Sequence, residues 1–174
     1  KAVTPALLRD LVSMVQEFPE GSKHAADLII GAYFFAMRAC EFCTTRNRGR
    51  TKILTCGNVT FRDKDRNEVK HSDAQLGFKS AFVTICFVDQ KNGTKMERRS
   101  QRRSGVAGLC PVEAWSAVIQ RIERQFPGIT DKKDLPVCSY RNNNETSSRV
   151  GHHEVSAERV RDLLRSTCQV FDGV

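Results

Sequence analysis

The sequence predicts an α+β domain, mainly α-helical, in which a helical bundle carries a small three-stranded antiparallel sheet at one edge. Three observations lead there. Four segments repeat apolar residues at helical spacing, whereas the run from Ala81 to Val88 is rich in β-branched and aromatic residues and is followed by Asn92-Gly93, a hairpin signal. The chain has 174 residues, 40% of them hydrophobic, which suffices for one compact core, and no repeat or linker divides it, so residues 1–174 read as a single domain.

Thr4 followed by Pro5 is an N-cap with proline at the first helical position, and Leu7, Leu8, Leu11, Val12, Val15 and Phe18 recur behind it, giving a helix over residues 5–18. Pro19-Glu20-Gly21 interrupts it and Ser22 can cap a second helix. This one is read over residues 23–43 and is almost continuously apolar from Leu28 onward, as expected of a helix buried on most sides. Ile53, Leu54, Val59 and Phe61, with Gly57-Asn58 between them, form a short strand or strand pair, and residues 63–67 form a turn. The strand ending at Val88 turns at Lys91-Asn92-Gly93 into a partner over residues 94–101 that has little apolar alternation and so is an exposed edge. Pro111 opens a third long helix with Val112, Trp115, Val118, Ile119, Ile122 and Phe126 inward, closed by Pro127-Gly128. A brief extended piece at 135–138 and a polar loop at 141–148 precede a last helix, capped by Ser156, with Val160, Leu163, Leu164, Cys168 and Phe171 inward.

The composition excludes several classes. The longest apolar stretch, residues 28–37, is half of what a membrane-spanning helix needs, so no membrane partner is expected. No small-molecule substrate is expected either. The N-terminal residues lack the apolar core and cleavage site of a secretory signal. Seven Cys, an odd number scattered mostly through apolar segments, read as reduced, buried thiols of an intracellular protein. Cys40-x-x-Cys43 with His152 and His153 lacks the second ligand pair of a structural zinc site, so no metal and no cofactor is expected.

The net charge of +8 favours polyanions, and its distribution sharpens the point. Arg46, Arg48, Arg50 and Lys52 form one cluster without an acid among them; Lys91, Lys95, Arg98, Arg99, Arg102 and Arg103 form another opposed only by Glu97. Both flank the central segment, as a surface for nucleic-acid phosphates would. Within the second helix, Arg38 and Glu41 stand three apart after an apolar run, and a guanidinium there needs either that carboxylate or an anion such as phosphate.

An apolar helix ending Gly31-Ala32-Tyr33-Phe34-Phe35-Ala36-Met37-Arg38-Ala39-Cys40-Glu41, a strand region at 52–61, a hairpin turn Gln90-Lys91-Asn92-Gly93 and a helix opening Leu109-Cys110-Pro111-Val112-Glu113-Ala114-Trp115 follow one another in this order. The series resembles the catalytic domain of the tyrosine recombinase, or phage-integrase-type, family, and is most similar in texture to recombinases of Crypton-like mobile elements. The resemblance implies DNA recombination and integration through cleavage and rejoining of duplex DNA by a 3′-phosphotyrosine. It implies that Arg38 is the first catalytic arginine on the scissile phosphate, that Glu41 is its structural support, and that Lys91 is the hairpin general acid at the leaving 5′ oxygen, with Lys95 as the alternative. Guanidinium groups can stabilise the charge that builds on the phosphate without metal or nucleotide. The family's later His-x-x-Arg motif and nucleophilic Tyr are not found: His152 and His153 are followed three residues on by Val155 and Ser156, and Tyr33 and Tyr140 come too early. The chain thus reads as the front portion of such a domain, inactive alone, which in its full-length form works as a homo-oligomer on DNA, in a nucleus or a bacterial nucleoid. A non-catalytic DNA-binding or protein-interaction module derived from such an enzyme is the alternative.

Overall fold

A computed structural model describes residues 3–46, 51–90, 93–141 and 152–172. Helix α1 (Pro5–Met14) starts as its sequence dictates, with the Thr4 hydroxyl accepting the Leu7 N–H at 3.2 Å and Pro5 in the first turn, and a single 3₁₀ turn carries it to Glu17. Helix α2 (Glu20–Phe34) is the central helix, buried along most of its length. It ends nine residues earlier than the apolar pattern suggests. Ala36 adopts a left-handed φ of 51°, the Ala36 N–H bonds to the Tyr33 carbonyl at 3.1 Å, and the Met37 N–H bonds to the Ala32 carbonyl at 3.0 Å. These two bonds make a Schellman C-cap, with alanine where glycine is usual. Apolar continuity hid the stop because the residues beyond it, such as Phe42, belong to the core as well. The chain re-enters a one-turn helix, α3 (Ala39–Phe42).

A four-stranded antiparallel sheet follows, built from β1 (Val59–Arg62), β2 (Glu68–Val69), β3 (Phe82–Asp89) and β4 (Lys95–Arg102) in the order β2-β1-β3-β4. The expected three-stranded sheet is one strand short of this, because β2 is two residues long and shows no alternation to read. The short helix α4 (Leu76–Lys79) joins β2 to β3. Val59, Phe61, Val83, Ile85 and Phe87 point to the helices and are buried; the alternate positions Thr60, Thr84 and Cys86 are half-buried on the other face. β4 is largely exposed, as its polarity predicts.

Helix α5 (Pro111–Gln125) crosses α2, and a Cβ on Gly31 would lie 2.7 Å from the Trp115 Nε1, so glycine is what lets the two helices approach. Trp115 and Phe35 are buried and Phe34 half-buried, consistent with a core role. A charged seam crosses the same helix pair. Arg121 on α5 reaches Glu20 (3.2 Å), Asp27 (2.8 Å) and His24 Nδ1 (3.2 Å) on α2, while His24 Nε2 lies 2.8 Å from the Val137 carbonyl. The guanidinium can only donate, so Nδ1 accepts and Nε2 carries the proton: the imidazole is neutral. Burial, then the charge of Arg121, lowers the His24 pKa to about 3, and burial pushes the Asp27 carboxyl above its usual range against the pull of Arg121.

A small second sheet, β5 (Ser139–Tyr140) with β6 (His153–Glu154), leads into α6 (Ala157–Asp172), whose first turn is capped by the Ser156 hydroxyl accepting the Arg159 N–H at 3.2 Å. All seven cysteines are free, and Cys43, Cys56, Cys110 and Cys138 are buried. Burial pushes the Cys56 and Cys138 thiols up to about 12 and the Cys43 thiol higher still, so they are core atoms and not thiolates. Among the described residues no cluster could hold a metal ion and no helix is long and apolar enough to cross a membrane.

Candidate nucleic-acid interface

The early end of α2 decides where Arg38 goes. In a continuous helix it would be carried on a mostly buried rod; instead it stands at the N-cap of α3, exposed, with extended backbone. Its expected partner takes a different atom. The buried Glu41 carboxylate accepts the backbone N–H of Arg38 at 2.7 Å, which fixes the N-terminus of α3, and the Arg38 guanidinium has no hydrogen bond or ion pair among the described residues. Glu41 therefore supports Arg38 through the main chain and leaves its charge available.

Arg38 lines a cleft of about 200 Å³ between the α2–α3 corner and the hairpin of β3 and β4. Phe35 and Ala36 form one wall, and Phe87, Gln90 and Arg99 form the other, with Glu41 between them. Glu97 organises the hairpin wall: its carboxylate accepts Gln90 Nε2 at 2.8 Å and Arg99 Nε and Nη2 at 2.8 and 2.7 Å. Gln101 Nε2 donates to the Phe34 carbonyl at 2.8 Å and so anchors β4 to the end of α2. The cleft thus offers one free guanidinium, a second held by a carboxylate, and an amide side chain, which suits an oxyanion. Sequence reasoning missed Gln90 and Glu97, whose polar types gave no signal until the fold placed Gln90 in the cleft and Glu97 against Gln90 and Arg99.

The other expected site residues divide. Lys91, Arg48 and Arg50 lie outside the described residues; Gln90, which precedes Lys91, lines the cleft. Lys95 and Lys52 are exposed, and Lys95 pairs in register with Asp89 near the turn. Arg46 is exposed and meets Glu158 of α6 at 3.3 Å. The second cluster is not one patch. Strand alternation sends Arg99 to the cleft side with Phe87 and Ile85, and Arg98 and Arg102 to the opposite face. Arg103 is taken up by the Ser80 carbonyl at 2.9 Å and Glu113 at 2.8 Å. Neither tyrosine is at the cleft: Tyr33 stacks edge-on against Phe34, and Tyr140 is buried against His153.

Among the described residues the cleft holds no hydroxyl or thiol nucleophile, so its side chains can bind and polarise an anion but cannot themselves attack it. In comparisons with known proteins, no family model, no curated sequence and no solved structure matches this chain.

Proposed function

We propose that this chain is the phosphate-binding portion of a DNA strand-exchange enzyme of the tyrosine recombinase type, acting in DNA recombination or integration, with Arg38 on the phosphate that is cut. The observation that carries the reading is the free, exposed guanidinium of Arg38 in a cleft whose far wall is lined by Gln90 and Arg99 of the β3–β4 hairpin. Attack on a phosphodiester builds charge on its non-bridging oxygens; Arg38 and Arg99 would stabilise that charge, and Lys91, or Lys95 in its place, would protonate the leaving 5′ oxygen.

Titration of a fluorescent duplex at several salt concentrations tests the binding half of this reading. Arg38→Ala is expected to weaken affinity about tenfold or more, as loss of a charge-assisted contact should, and to lower the salt slope by about one. A loss no larger than that of Lys64→Ala, an exposed residue of the β1–β2 turn, would favour the alternative, a non-catalytic DNA-binding module. The enzymatic half is tested by reading the coding region downstream of Val174. An in-frame His-x-x-Arg followed by a Tyr supports it, and a stop codon leaves the non-catalytic module.

A further inference from the structure

The face of the sheet turned away from the Arg38 cleft carries its own chemistry. In register, Arg62 of β1, Phe82 of β3 and Arg102 of β4 lie in one row, and Thr60, Thr84 and Ser100 lie in the next, with Thr84 Oγ1 and Ser100 Oγ 2.7 Å apart. Arg98 follows on the same side of β4, and a shallow groove of about 310 Å³ runs between Arg62, Asn58, Thr84 and Arg98. Arg66 folds over Phe82, its guanidinium 3.8 Å from the ring centroid. Arg62, Arg66, Arg98 and Arg102 are exposed, and among the described residues none is ion-paired; Glu68, beside Arg62, is the one carboxylate on the face. Asp63 in the adjoining turn is occupied by the N–H groups of Asp65 and Asn67.

We propose that this open sheet face is a second binding surface for the phosphate backbone of duplex DNA, separate from the cleft. Arg98 and Arg102 are four residues apart, about 14 Å along the strand, and Arg62 stands two strands, about 10 Å, from Arg102. That span matches the rise of about four nucleotides. The hydroxyl row and Asn58 add neutral donors of the kind that contact phosphates. The observations favour duplex over single strands because Phe82, the one aromatic side chain on the face among the described residues, is covered by Arg66 and offers no stacking platform. They disfavour an acidic peptide because Met96 is the one large exposed apolar side chain there among the described residues, too little for a buried anchor.

The test uses the full chain with the cleft disabled by R38A/R99A, so that neither cleft guanidinium contributes to binding of a fluorescent 20-base-pair duplex. Binding is expected to persist, and adding R62Q/R98Q/R102Q is expected to lower the salt slope by about 2.7, which removes about 40-fold of the affinity loss between 50 and 200 mM salt. The lysine set R62K/R98K/R102K, tested for fold by circular dichroism alongside it, is expected to keep the slope. The proposal is overturned if R38A/R99A alone abolishes duplex binding, if the glutamine set leaves slope and affinity unchanged, or if polyglutamate of equal charge displaces the duplex at lower concentration than unlabelled duplex does. Full affinity in R38A/R99A with loss in the glutamine set would refute the cleft reading and leave this one standing.

Discussion

Ala36 holds a left-handed conformation, φ 51°, that an L-residue with a Cβ resists by roughly 1–2 kcal/mol. The Schellman bonds at Tyr33 and Ala32 hold it there, and through it they set the direction in which Arg38 leaves the helix. Ala36→Gly is therefore expected to stabilise the protein by about 1 kcal/mol in chemical denaturation; destabilisation would mean that α2 does not end at this residue. The division of labour between Arg38 and Glu41 belongs to the same scale. Glu41 accepts a main-chain N–H and is buried, while the guanidinium three residues earlier stays exposed. Their i, i+3 spacing was legible in the sequence. Which atom of Arg38 the carboxylate takes was not, because that depends on whether Arg38 lies inside a helix or caps one.

The α2–α5 pair stores a pH dependence. The unfolded His24 binds a proton near its ordinary pKa of 6.5, whereas the folded one, neutral between Arg121 and the Val137 carbonyl, resists protonation until about pH 3. The contribution to stability is thus complete above pH 6.5 and is lost as pH falls towards 3, at roughly 1.4 kcal/mol per pH unit. His24→Gln keeps one acceptor and one donor but cannot titrate. Across that window its unfolding free energy should fall less steeply with acid than that of the parent, with Asp27 titrating in both proteins and cancelling in the difference; parallel curves would sink the assignment. This seam had a faint trace in the sequence, since Glu20, His24 and Asp27 recur at helical spacing along the first half of the central helix. Its partner Arg121 lies nearly a hundred residues away, and helical periodicity does not reveal long-range partners.

Across the whole molecule the seven thiols report on the packing. Cys43, Cys56, Cys110 and Cys138 are buried in the core, and Cys40, Cys86 and Cys168 are half-exposed. Alkylation of the native protein followed by mass spectrometry should modify the latter three rapidly and the former four only after denaturation; rapid labelling of Cys138 or Cys43 would contradict the core described above. The same large-scale arrangement separates the basic residues. Arg98 and Arg99 are neighbours in the chain yet face opposite sides of the sheet, so a run that reads as one cluster becomes a cleft on one side and an open face on the other.

By itself the sequence determined the local structure: the caps at Thr4 and Ser156, the proline starts of α1 and α5, the hairpin, the exposed edge strand and the α+β class all rest on interactions within a few residues. It also determined that cationic charge is concentrated around the middle of the chain. Only the tertiary structure decided where α2 stops, that a fourth strand joins the sheet, that Arg38 meets Gln90 and Arg99, and which arginines share a face. Those outcomes depend on strand register and on the crossing of helices distant in the chain, and no local pattern of residue types encodes either.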